Sequence, residues 1–194
     1  MKKLNGNKKI NIAIFISGKG SNLNNLIKYS KKKNSKFRIN LIISNNAKAK
    51  GLRYASKYKM NKRIINYSNI KKAEKYINLY LNKFNIKLIC LAGFMKILSK
   101  NFINKFKGKI INIHPSLLPK YKGLNTHSRV IKNKERFSGC TVHFVSPKLD
   151  SGKIILQKKI RIQKNDSPDK LSRRILKQEH LLYPRALNKV LTSL

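Results

Sequence analysis

Short apolar segments alternate with helical patterns along residues 9–113, and this alternation is the strongest constraint on the fold. Five strands, rich in β-branched side chains, are predicted at residues 9–17, 37–44, 61–67, 86–94 and 108–113. Helices are predicted between them, from 18–22 through about 30, near 50–59, over 71–84 and over 99–106. The helix over 71–84 carries side chains at helical spacing, namely Tyr76, Leu79, Tyr80 and Lys83. Strands separated by helices of this length predict βαβ units and a doubly wound, mostly parallel sheet.

The pattern changes after residue 138. Two more strands are predicted at residues 139–145 and 152–162, and the turn SPKLDS between them indicates an antiparallel extension at one edge of the sheet. A last helix is predicted from Pro168 to about Val190, with Ser167 as its N-cap. Since no linker or repeat interrupts the pattern, residues 1–194 are interpreted as one α/β domain.

The charge balance is extreme, with 46 Lys and Arg against 6 Asp and Glu and a formal net charge of +40. Such a balance is typical of proteins that bind nucleic acids. Here, however, the basic residues are scattered, and no arginine-rich block is interleaved with aromatic residues. This distribution favours a general excess of Lys, Asn and Ile, as the codons of an AT-rich genome would produce. We therefore expect no specific nucleic-acid partner, and each of the few acidic residues becomes more informative.

Two features bear on the cellular compartment. Cys90 and Cys140 lie in apolar stretches, which favours buried, reduced thiols over a disulfide. The apolar run IAIFIS near the N-terminus is too short for a membrane span and leads into a glycine-rich turn. We therefore expect a cytoplasmic protein with no membrane partner.

A polar pair ends the fifth predicted strand, within GKIINIHPSLLPKYKG at residues 108–123. Because side chains alternate along a strand, Asn112 and His114 point to the same side, and Pro115 stops the ladder directly after them. Open α/β sheets place their ligand crevice at the carboxyl ends of parallel strands. An amide donor beside an imidazole suits a reaction in which negative charge develops on a carbonyl oxygen. The alternative is that Asn112 caps the turn and His114 is an ordinary core residue.

Two further elements carry possible chemistry. The segment SGKGSN, residues 17–22, joins the first strand to the first helix and is either an anion site at a helix N-terminus or a tight turn. Asp150 in SPKLDSG is either a turn former or a partner of His114 that favours the imidazolium and fixes its orientation. The cysteines are not spaced with histidines as zinc ligands are, so no metal is expected.

With these elements in place, the chain resembles the folate-dependent phosphoribosylglycinamide formyltransferases from residue 10 to about 187. The matching segments are ISGKGSNL, LAGFMKILS, NIHPSLLPKYKGL, HFVSPKLDSGKIILQ and QEHLLYP. The combination of Asn-x-His-Pro-Ser-Leu-Leu-Pro with a downstream Asp-x-Gly is specific to folate formyltransferases. The resemblance implies a Rossmann-like formyltransferase fold. It also implies transfer of the formyl group of 10-formyltetrahydrofolate to the amine of 5-phosphoribosylglycinamide in purine (IMP) biosynthesis.

The resemblance also assigns catalytic roles. It implies that His114 donates a proton, that Asn112 contacts the formyl oxygen, and that Asp150 favours the protonated form of that histidine. The substrate amine is expected to attack the formyl carbon directly, without an acyl-enzyme nucleophile or a metal. The remaining histidines are expected to be supporting or structural: His127, His143 and His180.

Two binding regions follow from the same resemblance. The positions that match ribonucleotide-binding residues are Gly20, Ser21, Asn22, Leu176, Lys177, Gln178 and Glu179. The positions that match folate-binding residues are Met95, Lys96, Ile97, Leu98, Asn112, Ser146, Pro147, Lys148, Leu149 and Asp150. Relatives carry arginine in place of Lys96, and lysine keeps the charge but loses the bidentate fork. A second folate-contacting arginine of the family falls near residues 70–72 and has no placed counterpart in this chain.

Two alternatives differ in kind. One alternative is an enzyme similar to methionyl-tRNA formyltransferases, which share the three catalytic residues and the Ser-Leu-Leu-Pro motif. The extra C-terminal domain of those enzymes is not expected here. A basic binding module that kept the fold without activity is disfavoured because Asn112, His114 and Asp150 are all present. The expected partners are therefore two small-molecule substrates, and the expected assembly is a monomer or a homodimer.

Overall fold

The computed structural model describes residues 9–193, which fall into two compact units. The first unit extends to Lys96 and also includes Lys107–Lys109 and residues 191–193. The second unit comprises Ile97–Phe106 and Ile110–Val190. Residues 1–8 and 194 lie outside the described part of the chain. The interpretation of residues 1–194 as one domain stays a prediction.

Four parallel strands form the centre of the first unit, in the order β3-β2-β1-β4. The strands are β1 Ile10–Ile16, β2 Phe37–Ser44, β3 Lys62–Ile64 and β4 Leu88–Leu91. The helices are α1 Ser21–Ser30, α2 Leu52–Lys57 and α3 Ile70–Lys83. Every residue of β1 from Ile12 to Ile16 is fully buried, as expected for a central parallel strand whose two faces are both covered.

Helix α3 confirms the predicted segment, but the side chains named from the sequence do not form its buried face. Its N-cap Asn69 accepts a hydrogen bond from the Lys72 backbone N–H at 3.0 Å. The buried side chains are Ala73, Glu74, Ile77 and Leu81. Tyr76 and Leu79 are 47% and 56% exposed. The helix packs through the stripe at i, i+4 and i+8 that begins at Ala73, because small and aliphatic side chains fit there.

Apart from Lys109, three antiparallel strands lie in the second unit: β5 Lys109–His114, β6 Phe137–Phe144 and β7 Ile154–Arg161. Its helices are α4 Lys100–Lys105, α5 Thr126–Lys132 and α6 Pro168–Leu191. Ser167 caps α6 as predicted, since its hydroxyl accepts the Lys170 backbone N–H at 3.2 Å. Helix α5 was not predicted. With parallel strands in one unit and an antiparallel extension in the other, the predicted α/β fold class is confirmed.

Both cysteines are free and buried, as predicted. Burial, with a smaller contribution from the nearby Glu179 carboxylate, raises the pKa of the Cys140 thiol to about 12, so this thiol is unreactive. Within residues 9–193, no helix combines the length and apolar character that crossing a bilayer requires.

Candidate active site

The end of β5 brings a histidine and an aspartate together. Asp150 reaches His114 from the connection between β6 and β7, with 3.4 Å between His114 Nδ1 and Asp150 Oδ2. Both side chains are almost completely buried, at 7% and 8% exposure. The same Asp150 oxygen accepts the Gly123 backbone N–H at 2.9 Å, which fixes the carboxylate in place. The low exposure limits screening by water and strengthens the attraction between carboxylate and imidazole.

Asp150 combines the two roles that the sequence left open. Its φ of 44° lies in the left-handed region, so the residue forms a tight turn. In that conformation its side chain reaches His114. Turn former and histidine partner are therefore the same residue in the same conformation.

Acceptors face both ring nitrogens of His114. The Nε2 atom donates to the Tyr121 backbone carbonyl at 2.8 Å, and the Nδ1 atom faces Asp150. A carbonyl and a carboxylate both only accept, so the protonated imidazolium is the form whose two N–H groups satisfy both contacts. The Tyr121 carbonyl also accepts from the Ser116 hydroxyl at 3.2 Å. Tyr121 was not among the predicted site residues, because its carbonyl acts through backbone geometry that no side-chain motif records.

Asn112 lies half-buried on the same strand, two residues before His114. Its Nδ2 atom lies 3.2 Å from Nε2 of His143, the residue directly opposite in the β5–β6 register. Burial lowers the pKa of His143, although Asp150 and the Phe144 carbonyl partly oppose this. Burial also lowers the pKa of His127, and the charge of nearby His114 adds to that effect. An amide donor and an imidazole thus lie on one strand, and donors of this kind can stabilise an oxyanion.

In the first unit, the loop between β1 and α1 is shaped by a close approach of two glycines. Gly20 has a φ of 72°, and a Cβ atom built on it would lie 2.4 Å from the Gly51 Cα. The Gly51 N–H donates to the Gly18 carbonyl at 2.9 Å, which ties the loop to the start of α2. Gly20, Ser21 and Asn22 therefore begin α1 with a backbone that no larger residue would permit at position 20. Gly51 was not among the predicted site residues, because its partner Gly20 is distant along the chain.

Ser17 connects this loop to the segment predicted to bind folate. Its N–H donates to the Gly93 carbonyl at 3.0 Å, and its hydroxyl oxygen accepts the Met95 N–H at 2.7 Å. The same hydroxyl donates to Asn45 Oδ1 at 2.5 Å. The start of the glycine loop and Met95 are thus held together through one side chain.

The remaining predicted residues fall into three surroundings. Met95 and Ile97 are 64% and 69% exposed, while Leu98 is buried. Lys96 and the loop residues Pro147, Lys148 and Leu149 are exposed, and Ser146 is half-buried. On α6, Glu179 is buried, Leu176 and Gln178 are half-buried, and Lys177 is exposed. Across residues 9–193 no group of three or more His, Cys, Asp or Glu side chains is placed to hold a metal ion.

The fold and this cluster define a class: an α/β protein with an amide, an imidazole and a carboxylate gathered around the end of one strand. The formyl transferase family model matches residues 10–187. The chain is 42% identical to the phosphoribosylglycinamide formyltransferase of Haemophilus influenzae over 176 residues, or 89% of this chain and 83% of the relative. The phosphoribosylglycinamide formyltransferase of Anaplasma phagocytophilum superposes with a TM-score of 0.90 at 38% identity, covering 96% of this chain and 88% of that one.

Another relative is much longer. The chain is 43% identical to the human trifunctional purine biosynthetic protein adenosine-3 over 186 residues, and this match covers 94% of the chain. The chain spans only 18% of the length of that protein. On the family match and the identities together, the chain belongs to the formyl transferase family.

Proposed function

We propose that the chain transfers the formyl group of 10-formyltetrahydrofolate to the amine of 5-phosphoribosylglycinamide, a step of purine biosynthesis. The observation that carries this proposal is the buried His114–Asp150 pair beside Asn112, in a chain similar to proteins named for this reaction. The site chemistry agrees, since formyl transfer passes through a tetrahedral oxyanion that an amide N–H and an imidazolium stabilise.

The proposed reaction assigns each group a task. The substrate amine attacks the formyl carbon, and the oxyanion that forms accepts N–H bonds from Asn112 and His114. The bond from carbon to the folate N10 then breaks, N10 takes a proton from the His114 imidazolium, and the proton lost by the amine restores it. Asp150 holds the imidazolium in orientation. Because both ring nitrogens of His114 already contact protein acceptors, one of these contacts must exchange for substrate during the step.

Binding is assigned to the regions flanking this chemistry. The loop at Gly20, Ser21 and Asn22 offers backbone N–H groups at the start of α1, where a phosphate is favoured. Residues 176–179 are assigned to the same substrate, with Glu179 placed to accept from ribose hydroxyls. Residues 95–98 and 146–150 are assigned to the folate, and Lys96 provides a single positive charge for a carboxylate.

The same proposal covers the protein's setting. We place the reaction in the cytoplasm, with two small-molecule substrates, no resident metal and no specific nucleic acid. The chain is proposed to act as a monomer or a homodimer.

A direct assay tests the function. Purified protein is incubated with 10-formyltetrahydrofolate and either 5-phosphoribosylglycinamide or methionyl-tRNA, and the acceptor is analysed for a gain of one formyl group by mass spectrometry. We expect formylation of the ribonucleotide alone. Formylation of methionyl-tRNA alone would replace the proposed acceptor, and formylation of neither would overturn the enzymatic assignment.

A further inference from the structure

The buried histidine opposite Asn112 has geometry that goes beyond a structural role. His143 is 2% exposed, and the β5–β6 register places it directly across from Asn112. Its Nδ1 atom lies 2.9 Å from the Phe144 carbonyl. Since a carbonyl oxygen only accepts, Nδ1 must carry the hydrogen of that bond. Hence Nε2 of the neutral ring is an acceptor.

This tautomer determines how the Asn112 amide is oriented. The amide has two donors on nitrogen and only an acceptor on oxygen. An acceptor at His143 Nε2, 3.2 Å away, therefore selects the orientation with Nδ2 toward the ring. One N–H of Asn112 is then bonded to His143, and the second remains for another acceptor. The reversed amide would place two acceptors against each other.

The competing partner of the same ring nitrogen is Asp150. Its Oδ1 atom lies 3.6 Å from His143 Nε2, outside hydrogen-bond distance, whereas Asn112 lies within it. The charged and titratable groups that act on His143 are Asp150, which raises its pKa, and His114, which lowers it. Burial lowers this pKa more than Asp150 and the Phe144 carbonyl raise it, which favours the neutral ring. The Asp150 carboxylate thus pairs with His114, and the Asn112 amide bonds to His143.

We propose that His143 is a positioning residue, whose neutral Nδ1–H tautomer turns the Asn112 amide so that its free N–H faces the formyl oxygen. This inference rests on the proposed function and deepens it. The chain of contacts runs from the Phe144 carbonyl through the imidazole to the amide. Without it, Asn112 would sample both amide orientations, and only one of them donates to an oxyanion.

Two substitutions separate positioning from packing. In His143→Asn the shorter amide can still bond the Phe144 carbonyl, but it places nothing at the Nε2 position. In His143→Gln the longer side chain brings an oxygen acceptor to that position. Both remove the ring, so a purely structural role predicts similar losses in the two variants. We expect kcat to fall about 10- to 100-fold in His143→Asn, less than the loss of a whole donor, with the folate KM little changed. His143→Gln should recover most of this loss.

A double-mutant cycle with Asn112→Ala gives the sharper result. If His143 acts through Asn112, then His143→Asn has no further effect on kcat once the amide is gone. Losses that multiply in the double variant would overturn the proposal. So would equal losses in His143→Asn and His143→Gln with native melting temperatures.

The tautomer itself can be observed without any turnover. Nitrogen-15 NMR of histidine-labelled protein at neutral pH should show His143 with a pyrrole-type Nδ1 and a pyridine-type Nε2, assigned by the loss of the signals in His143→Gln. A pyrrole-type Nε2 or a doubly protonated ring would contradict the inference. Because this readout needs no substrate, a failed activity assay would reject the proposed function and leave the tautomer result standing.

Discussion

The glycine loop of the first unit and the histidine cluster of the second are built by different physics. At the loop, Gly20 and Gly51 approach so closely that a single Cβ would lie 2.4 Å from backbone, so the loop is specified by what is missing. At the cluster, Asn112, His114 and Asp150 are specified by donors and acceptors they carry. We therefore expect that substitutions in the loop act through steric strain, and that substitutions in the cluster act through loss of donors and acceptors.

The largest expected effect breaks the cluster and leaves the loop intact. His114→Ala should reduce kcat about 100- to 1,000-fold, because an N–H donor to the oxyanion and the proton for the leaving group are both lost. The KM for the ribonucleotide should change little. Steady-state kinetics with circular dichroism checks this, and near-normal turnover in a folded variant would remove His114 from the mechanism.

The next effect breaks the loop. Gly20→Ala should destabilise the protein by at least about 1–3 kcal/mol, because alanine at a φ of 72° is strained and its Cβ meets Gly51. The KM for the ribonucleotide should rise as well. Urea unfolding and substrate titration measure the two effects.

Gly18→Ala is the matched control for the loop. No atom lies within 4 Å of a Cβ at Gly18, and its backbone is outside the left-handed region. It should unfold like the wild type. Similar losses at both positions would mean that any added methyl group disturbs this loop, and the contact between Gly20 and Gly51 would lose its special role.

Acid should destabilise the second unit, because it holds the buried His143 and the half-buried His127. His127 and His143 have folded-state pKa values below the ordinary 6.5, so the unfolded chain binds protons first as pH falls. Their contribution to stability is therefore complete above pH 6.5 and is lost as pH falls below it towards the folded-state values. When the melting temperature is measured from pH 8 to pH 5, it should decline once the pH falls below about 6.5. The decline should be less steep in His127→Gln. An unchanged slope in that variant would contradict a lowered pKa of His127 in the folded chain.

The smallest effect separates attraction of substrates from chemistry. Both proposed substrates are anionic, and a protein of net charge +40 raises their encounter rate. As salt increases, the Debye length shrinks from about 10 Å at 0.1 M to about 3 Å at 1 M, so kcat/KM should fall smoothly. The single-turnover chemical rate should respond much less, because the cluster acts at contact distance. If the chemical rate fell in parallel with kcat/KM, charges that salt screens would contribute to the chemical step itself.

The same contrast explains what could be predicted from sequence. Asn112 and His114 were identified because strand alternation and the following proline are local patterns, and both do lie at the end of β5. The contact of Asn112 with His143 depends on strand register across β5 and β6, which no local pattern encodes. Tyr121 contributes a backbone carbonyl, and Gly51 contributes the absence of a side chain. Such contributions carry no recognisable residue signature, whereas a rare aspartate such as Asp150 does.

The role of the His114–Asp150 pair is best tested by the single-turnover rate of formyl transfer in Asp150→Asn with both substrates saturating. Asparagine keeps the size of the side chain but removes the charge that lies 3.4 Å from His114. Asp169→Asn makes the same change in the exposed first turn of α6 and serves as the control. We expect a rate at least about 100-fold lower in Asp150→Asn and an unchanged rate in the control. A wild-type rate in folded Asp150→Asn would contradict the claim that the buried His114–Asp150 pair performs the transfer.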